Sequence, residues 1–493
     1  MIQTAGGWIV ADMPYQRMKD YLDELDRRGL LRRIAAPVDR AWQPACLAKW
    51  MYQALPDDER FGLMFEHVIG SRIPLVTGAL GASTHTYAAA LEIEPDRINE
   101  KLMAALINPI APRSVNTAPC QEIVNEGEKV RLSDLPIPTW TPGKDAAPYL
   151  TTIVVTRDAN GGFQNMAVYR TQVLDDRSVV INLSPGRHGF RCVRSFLDQG
   201  KPAPIAWVIA AEPAVHIATV ANLVYGSEEV HFAGGLKGEP IELVKATTID
   251  LRVPAAAEII IEGEIHPGET ANEGPFGEFA GFMGPVGERP RARIRAITHR
   301  RDPIYYGYTS QMPPSESTVI QSLTNAGVIL KLLRHDLGEH SVHDVHIDLT
   351  FGGLLAHGVV AMTPAYPGHG KRVGRILTDL TPLKRVTVVD ADVDIRDPVH
   401  LEWAMNSRFD PARDTVIIDD VYFPLHMDPS IRTADGKLAP GSKMVIDATQ
   451  KIDAGSFSLP PRDMMLKALD LWRDLGLPEF RIPRRAWLRI DKS

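Results

Sequence analysis

The 493-residue chain carries 54 Lys and Arg against 61 Asp and Glu, a net charge of −7, with 44% hydrophobic and 23% charged residues. This is the make-up of an ordinary globular protein, long enough for two or three domains with sizeable cores, and it excludes a disordered or fibrous chain. The cations are scattered and the three cysteines, Cys46, Cys120 and Cys192, form no C-x-x-C pair. Nucleic acid, an anionic membrane surface, a disulfide framework and a zinc ribbon are therefore not indicated, and a small molecule is the expected partner.

From Tyr15, the residues Met18, Leu22 and Leu25 fall at helical spacing, with Gly29 placed to end the helix. Short strands are expected near Leu63–Phe65 and Pro74–Val76 and a helix over Glu92–Leu106, which makes an α/β opening. Pro136, Pro138, Pro142 and Pro148 mark a connector that resists regular structure. Strand-like runs follow at Leu150–Thr156, Val179–Leu183, Ile205–Ala210, Glu258–Ile265 and Arg291–Arg295, dense enough to predict a β-barrel or sandwich without intervening helices. Beyond Ser310 helices alternate with apolar strands such as Val386–Asp390 and Thr415–Asp419, which predicts α/β layering with a partly parallel sheet. A last helix presents Met465, Leu466, Leu469 and Trp472 as one stripe before Gly476 and Pro478, and must dock on its own body or on a partner subunit. No segment approaches the roughly 18 apolar residues of a membrane span and the N-terminus has no basic leader, so an unprocessed, soluble, cytoplasmic protein is expected.

The most informative stretch is Glu273-Gly-Pro-Phe-Gly-Glu278. Pro275 fixes its own φ and lacks an N–H, and Gly274 and Gly277 permit unusual backbone angles, so the hexapeptide reads as a rigid loop. It holds two carboxylates close together. An arginine between such a pair keeps one ionised while burial can leave the other protonated, an acid–base arrangement. Asn165-Met-Ala-Val-Tyr-Arg170 offers that arginine. Taken alone, an E-x4-E loop is as well explained by a surface ion pair.

Asn165, His188 and Glu229 offer an amide oxygen, an imidazole and a carboxylate without a thiolate, a set that suits Mn²⁺ or Mg²⁺ better than structural Zn²⁺. Each also has a plainer explanation as a turn or loop residue. Gly368-His-Gly-Lys371 is a glycine-flanked turn entering a helix, where N–H groups and a lysine can hold phosphate. It is not a Walker A motif, since Ala365 and Arg372 replace its first glycine and its Ser/Thr. Asp390, Asp392 and Asp394 lack the glycine and final glutamate of an EF-hand and read as the polar end of a strand. His340, His343 and His346 read as solvated histidines on a core segment.

Asn165-x4-Arg170, Ser184-Pro-Gly-Arg-His188, Ser227-Glu-Glu-x-x-Phe-Ala-Gly-Gly, Glu273-Gly-Pro-Phe-Gly-Glu278, Gly368-His-Gly-Lys371 and Ser442-Lys-Met-Val-Ile-Asp-Ala-Thr449 occur in an order and spacing that resembles the UbiD family of reversible decarboxylases. The resemblance covers most of the chain. It implies an α+β fold of three domains: an N-terminal α/β domain (1–115), a central split β-barrel of flavin-reductase type that binds the cofactor (116–320), and a C-terminal α/β oligomerisation domain (321–462) followed by a helix and tail (463–493) that dock on a partner subunit. The implied cofactor is prenylated FMN, held with Mn²⁺ or Mg²⁺ by Asn165, His188 and Glu229, with K⁺ as a further candidate ion.

By position, the resemblance makes Arg170, Glu273 and Glu278 catalytic, with Arg170 contacting flavin and Glu273, and Glu278 replacing the lost carboxylate with a proton. Val168, Arg170, Arg187, His188, Glu229 and Lys371 would hold the cofactor, and Phe423 and Leu425 would wall the substrate pocket. Glu229 is preferred to Glu228 because it keeps the offset from Phe-Ala-Gly and from Glu273. The implied substrate is an aromatic, heteroaromatic or α,β-unsaturated carboxylic acid, or an aromatic acyl-CoA. A flavin prenyltransferase must supply the cofactor, and a homodimer or larger homo-oligomer is expected. Two alternatives stay open: an FMN-dependent reductase on the same barrel, and a non-catalytic accessory subunit of a decarboxylase.

Overall fold

The computed structural model describes residues 15–350, 357–421, 440–452 and 455–491. The chain forms two compact units, Met1–Val328 with Leu349–Gly353, and Ile329–Asp348 with Leu354–Ser493.

The first unit opens with the helix Met18–Arg27, whose buried face is Met18, Tyr21, Leu22 and Leu25, and Gly29 follows it with φ +70°. This stripe lies against a small sheet in the order Leu31–Ile34, Gly62–Phe65, Leu75–Thr77 and Tyr305–Tyr306. The helix expected from Glu92 starts only at Ile98, after a turn of 3₁₀-helix at Pro95–Arg97. Glu92 has φ +52° and Pro95 can only open a helix, so the pattern before it does not propagate.

The main sheet runs Tyr149–Leu150, Thr171–Asp175, Ser178–Ile181, Gly287–His299, Ile259–Glu273, Ala203–Ile209, Ile153–Arg157 and Gln164–Val168, with Ile123–Glu126 paired to Gly287–His299. Two connections show that it curls. Tyr149–Leu150 lies at one end and leads after two residues to Ile153–Arg157 near the other, and Gln164–Val168 at that far end leads after two residues back to Thr171–Asp175. Three residue steps reach at most about 11 Å, so the two ends must lie close together, as in a split barrel. Its strands carry an apolar core: Ile205, Trp207, Ile209, Ile259, Ile261 and Ala292 are all fully buried.

Contrary to the helix-free expectation, the helices His188–Leu197, Pro213–Ala218 and Glu229–Lys237 interrupt these strands. Glu229–Lys237 shows no amphipathic pattern because almost all of its residues are buried.

The second unit carries a sheet in the order Val342–Ile347, His357–Met362, Arg385–Asp390, Gly441–Ala448 and Thr415–Val421, its three middle strands parallel and its two edges antiparallel. Asp390 ends a strand, and Arg408 donates to Asp390 at 2.7 Å and to Asp392 at 2.8 Å, so these acids serve an ion pair. The helix Arg462–Asp474, expected to be the last, is followed by a further helix at Arg484–Ile490; it buries none of its residues, and Leu466, Leu471 and Trp472 remain exposed. Among the described residues no helix is long and apolar enough to cross a membrane.

Candidate active site

Arg170 lies in the two-residue link Tyr169–Arg170, at the seam where the ends of the curled sheet meet. Glu273 is the last residue of the long strand Ile259–Glu273 and is fully buried. Gly274, at φ +95°, turns the chain away through a cis bond to Pro275. Phe276–Gly277 then pairs with Met283–Gly284, which places Glu278 on a hairpin turn closed by Glu278 N–H to Phe282 O at 2.8 Å and Gly281 N–H to Glu278 O at 3.0 Å.

The guanidinium bridges the two carboxylates. Arg170 donates from Nε to Glu273 Oε1 at 2.9 Å, from Nη2 to Glu273 Oε2 at 3.0 Å, and from Nη1 to Glu278 Oε1. Burial opposes the charge on Arg170, but the two carboxylates outweigh it and hold the group above its ordinary value. Glu273 is further secured by the Asn182 amide at 3.3 Å and the Tyr149 hydroxyl at 3.2 Å, and burial followed by the Glu273 charge raises the Tyr149 phenol. The Phe276 ring packs on Tyr149 with centroids 4.3 Å apart and lies 5.1 Å from the Arg170 guanidinium carbon.

The two glutamates are thus unequal. Glu273 is saturated by donors and has a side-chain exposure of 0%, whereas Glu278 keeps 17%. One cation balances one carboxylate, so the triad is neutral when a proton resides on the other.

A second cluster builds from the adjacent strand. Asn165 Nδ2 donates to Glu229 Oε1 at 2.9 Å and the Met166 N–H to Glu229 Oε2 at 2.8 Å. Burial pushes the Glu229 carboxyl up to about 7. Tyr169 ties in the third member: its hydroxyl donates to Asn165 Oδ1 at 3.3 Å and accepts from the Gly189 N–H at 2.9 Å, next to His188. His188 and Glu229 each open a helix that has no side-chain cap bond. Burial, then Arg191 and Arg187, lowers the His188 imidazole, which favours the neutral, ligating form.

Among the described residues no three His, Cys, Asp or Glu side chains converge. The set is one amide, one imidazole and one carboxylate at a helix N-terminus, and that chemistry fits a hard divalent ion together with a phosphate.

The remaining expected residues are spread more widely. Val168 ends the strand Gln164–Val168, and Arg187 is exposed at the N-cap of His188–Leu197. Lys371 belongs to the second unit, in the first turn of the helix His369–Leu380 after Gly368 at φ +84°, and donates to the Arg413 carbonyl. Phe423 and Leu425 lie outside the described residues. Sequence reasoning missed Tyr149, Tyr169, Asn182 and Tyr225. The last accepts Arg191 over its ring at 3.8 Å and meets the His188 ring at 5.2 Å. Tyr169 had a signal, its place beside Arg170 in a two-residue link, whereas Tyr149 reaches Glu273 across 124 positions and had none.

Three family models match in succession, the N-terminal domain of 3-octaprenyl-4-hydroxybenzoate carboxy-lyase at residues 22–106, its Rift-related UbiD domain at 113–313 and its C-terminal domain at 318–448. An uncharacterised protein of Synechocystis is 31% identical over 463 residues, 88% of this chain and 90% of its own. Among solved structures, an evolved dimeric form of the UbiD-class enzyme HmfF from Pelotomaculum thermopropionicum, in complex with prFMN, is 32% identical with a TM-score of 0.79, covering 91% of this chain and 98% of its own. Vanillic acid decarboxylase of Sedimentibacter hydroxybenzoicus in its closed form is 26% identical with a TM-score of 0.80, covering 94% and 99%. With all three domains matched in order over most of its length, the chain belongs to the UbiD family.

Proposed function

We propose that this protein catalyses the reversible, non-oxidative decarboxylation of an aromatic, heteroaromatic or α,β-unsaturated carboxylic acid, with Glu278 as proton donor. The observation that carries the reading is the inequality of the two glutamates on Arg170. Glu273 is buried and saturated with donors and holds the guanidinium charged and oriented, while the partly exposed Glu278 has that guanidinium alone as its side-chain partner among the described residues.

Loss of CO₂ from an sp² carbon leaves a carbanion that no side chain can stabilise, and bound prenylated FMN would supply that electron sink. The chain's own residues do the rest. Arg170 orients the substrate carboxylate at the seam of the barrel, and Glu278 delivers its proton to the carbon that CO₂ leaves. Asn165, His188 and Glu229 would hold a divalent ion, Mn²⁺ or Mg²⁺, and the cofactor phosphate, with Val168 and Arg187 as further cofactor contacts. The uncovered stripe on Arg462–Asp474 suits a homo-oligomer. A relative that decarboxylates vanillic acid and another that binds prFMN support this substrate class and cofactor.

The test is protein co-produced with a flavin prenyltransferase and offered a panel of phenolic, heteroaromatic and acrylic acids while CO₂ release is followed. Glu278→Gln is expected to keep the flavin spectrum and lose turnover by about 10²–10⁴-fold, the usual worth of a general acid. Turnover within tenfold of the parent would remove Glu278 from this role.

A further inference from the structure

One neighbour of the turn that carries Glu278 is itself held from a distance. The segment 310–315 is closed at its base by the Ser317 N–H to Thr309 O at 3.0 Å and by Ser310 Oγ to Ser317 Oγ at 2.8 Å. Its tip lies against both flanks of the Glu278 turn. A Cβ on Gly277, whose N–H is held by Asp145 Oδ1 at 2.9 Å, would meet Thr141 Oγ1 first and stand 2.7 Å from Gln311 Cγ, and one on Gly281 would stand 3.0 Å from Met312 Sδ and 3.4 Å from Pro313 Cδ. The opposite side of the tip is gripped by the helix Gln43–Ala54. Lys49 Nζ donates to the Gln311 carbonyl at 2.8 Å and to the Met312 carbonyl at 3.4 Å, and Gln53 Nε2 donates to the Met312 and Pro313 carbonyls at 3.2 Å each. These side chains meet no part of the triad directly.

We propose that Lys49, assisted by Gln53, is a positioning residue that holds the 311–313 segment against the Glu278 turn and thereby fixes the proton-donating carboxyl beside Arg170. The proposal rests on the reading of Glu278 as proton donor. Three consecutive carbonyls, of Gln311, Met312 and Pro313, take side-chain donors from one helix, so the tip cannot withdraw from Gly277 and Gly281 without breaking them. Lys49 reaches two of these carbonyls from a half-buried position; desolvation there lowers its ammonium to about 7, and the group donates in either protonation state.

The experiment has two arms on the full chain. In the cofactor-free protein, amide hydrogen exchange is compared between the parent, Lys49→Met and Lys49→Arg. Lys49→Met is expected to speed exchange about tenfold or more at Glu278 and Gly281, with the strand Ile259–Glu273 unchanged, and Lys49→Arg to restore most of the protection. In cofactor-loaded protein, kcat is expected to fall about ten- to hundredfold in Lys49→Met at nearly constant KM, as for a misplaced catalytic group. Unchanged exchange at Glu278 and Gly281 overturns the proposal whatever the activity. Full kcat in Lys49→Met beside an inactive Glu278→Gln also overturns it. A fully active Glu278→Gln instead defeats the proton-donor reading, and the exchange arm then still decides whether Lys49 holds the turn.

Discussion

Replacing Arg170 by Met tests whether the triad is the electrostatic centre that the geometry implies. The substitution keeps an apolar stem over Phe276 but removes two bonds to Glu273, at 2.9 and 3.0 Å, and the bond to Glu278. Glu273 has a side-chain exposure of 0% and, among the described residues, is left with the neutral side-chain donors Asn182 and Tyr149. Stranding one member of a buried ion pair costs about 3–5 kcal/mol, and the two surviving donors place the loss near the lower bound, about 3 kcal/mol. At about 2 °C per kcal/mol for a unit of this size, the melting temperature of the cofactor-free protein should fall by about 6 °C at pH 8. Adding Glu273→Gln to Arg170→Met removes the stranded charge and should recover part of the stability, a coupling that a double-mutant cycle reads directly. A change below about 1 °C at pH 8, or no recovery on adding Glu273→Gln, would refute the assignment of Arg170 as the charge that holds this site.

Two further results are expected. A methyl group at Gly284 would stand 2.9 Å from Glu278 Oε1 and 3.4 Å from Arg170 Nη1. Gly284→Ala should therefore push the Glu278 carboxyl off the guanidinium and lower kcat by about tenfold or more while melting close to the parent; parent-like kcat would mean the carboxyl works from elsewhere. His216 is fully buried, donates to or accepts from Tyr308 OH, and burial pulls its imidazole down to about 3. The unfolded chain binds this proton at about pH 6.5 and the folded one does not, so stability is lost as pH falls through that window, by up to about 5 kcal/mol. His216→Gln should move the acid-unfolding midpoint, followed by tryptophan emission, to lower pH, and an unchanged midpoint would remove His216 from the acid transition.

What could be read in advance and what could not follows from how far each contact reaches. The Glu273–Glu278 loop is legible because Gly274, Pro275 and Gly277 dictate backbone shape locally, and the arginine that joins it falls within a short motif. The same holds for the Met18–Leu25 stripe, where periodicity alone places the buried face. Asn182 and Tyr149 are different: they reach Glu273 across 91 and 124 positions, and nothing near either residue announces the partner. The helix Glu229–Lys237 fails for another reason. Burial nearly all round erases the polar face that would reveal a helix, and Gly234 and Gly235 lower its propensity while letting the Ile110 and Ala105 carbonyls approach to 2.4 and 2.5 Å of where a Cβ would be. The helix packed in this way begins at Glu229, which meets Asn165 at 2.9 Å, so the burial that hides the helix in the sequence also holds this polar pair in place. The reverse holds at Arg462–Asp474, where the stripe is plain in the sequence because the described chain leaves it uncovered. An amphipathic signal survives where one side faces solvent or awaits a partner, and it vanishes where function has packed an element on every side.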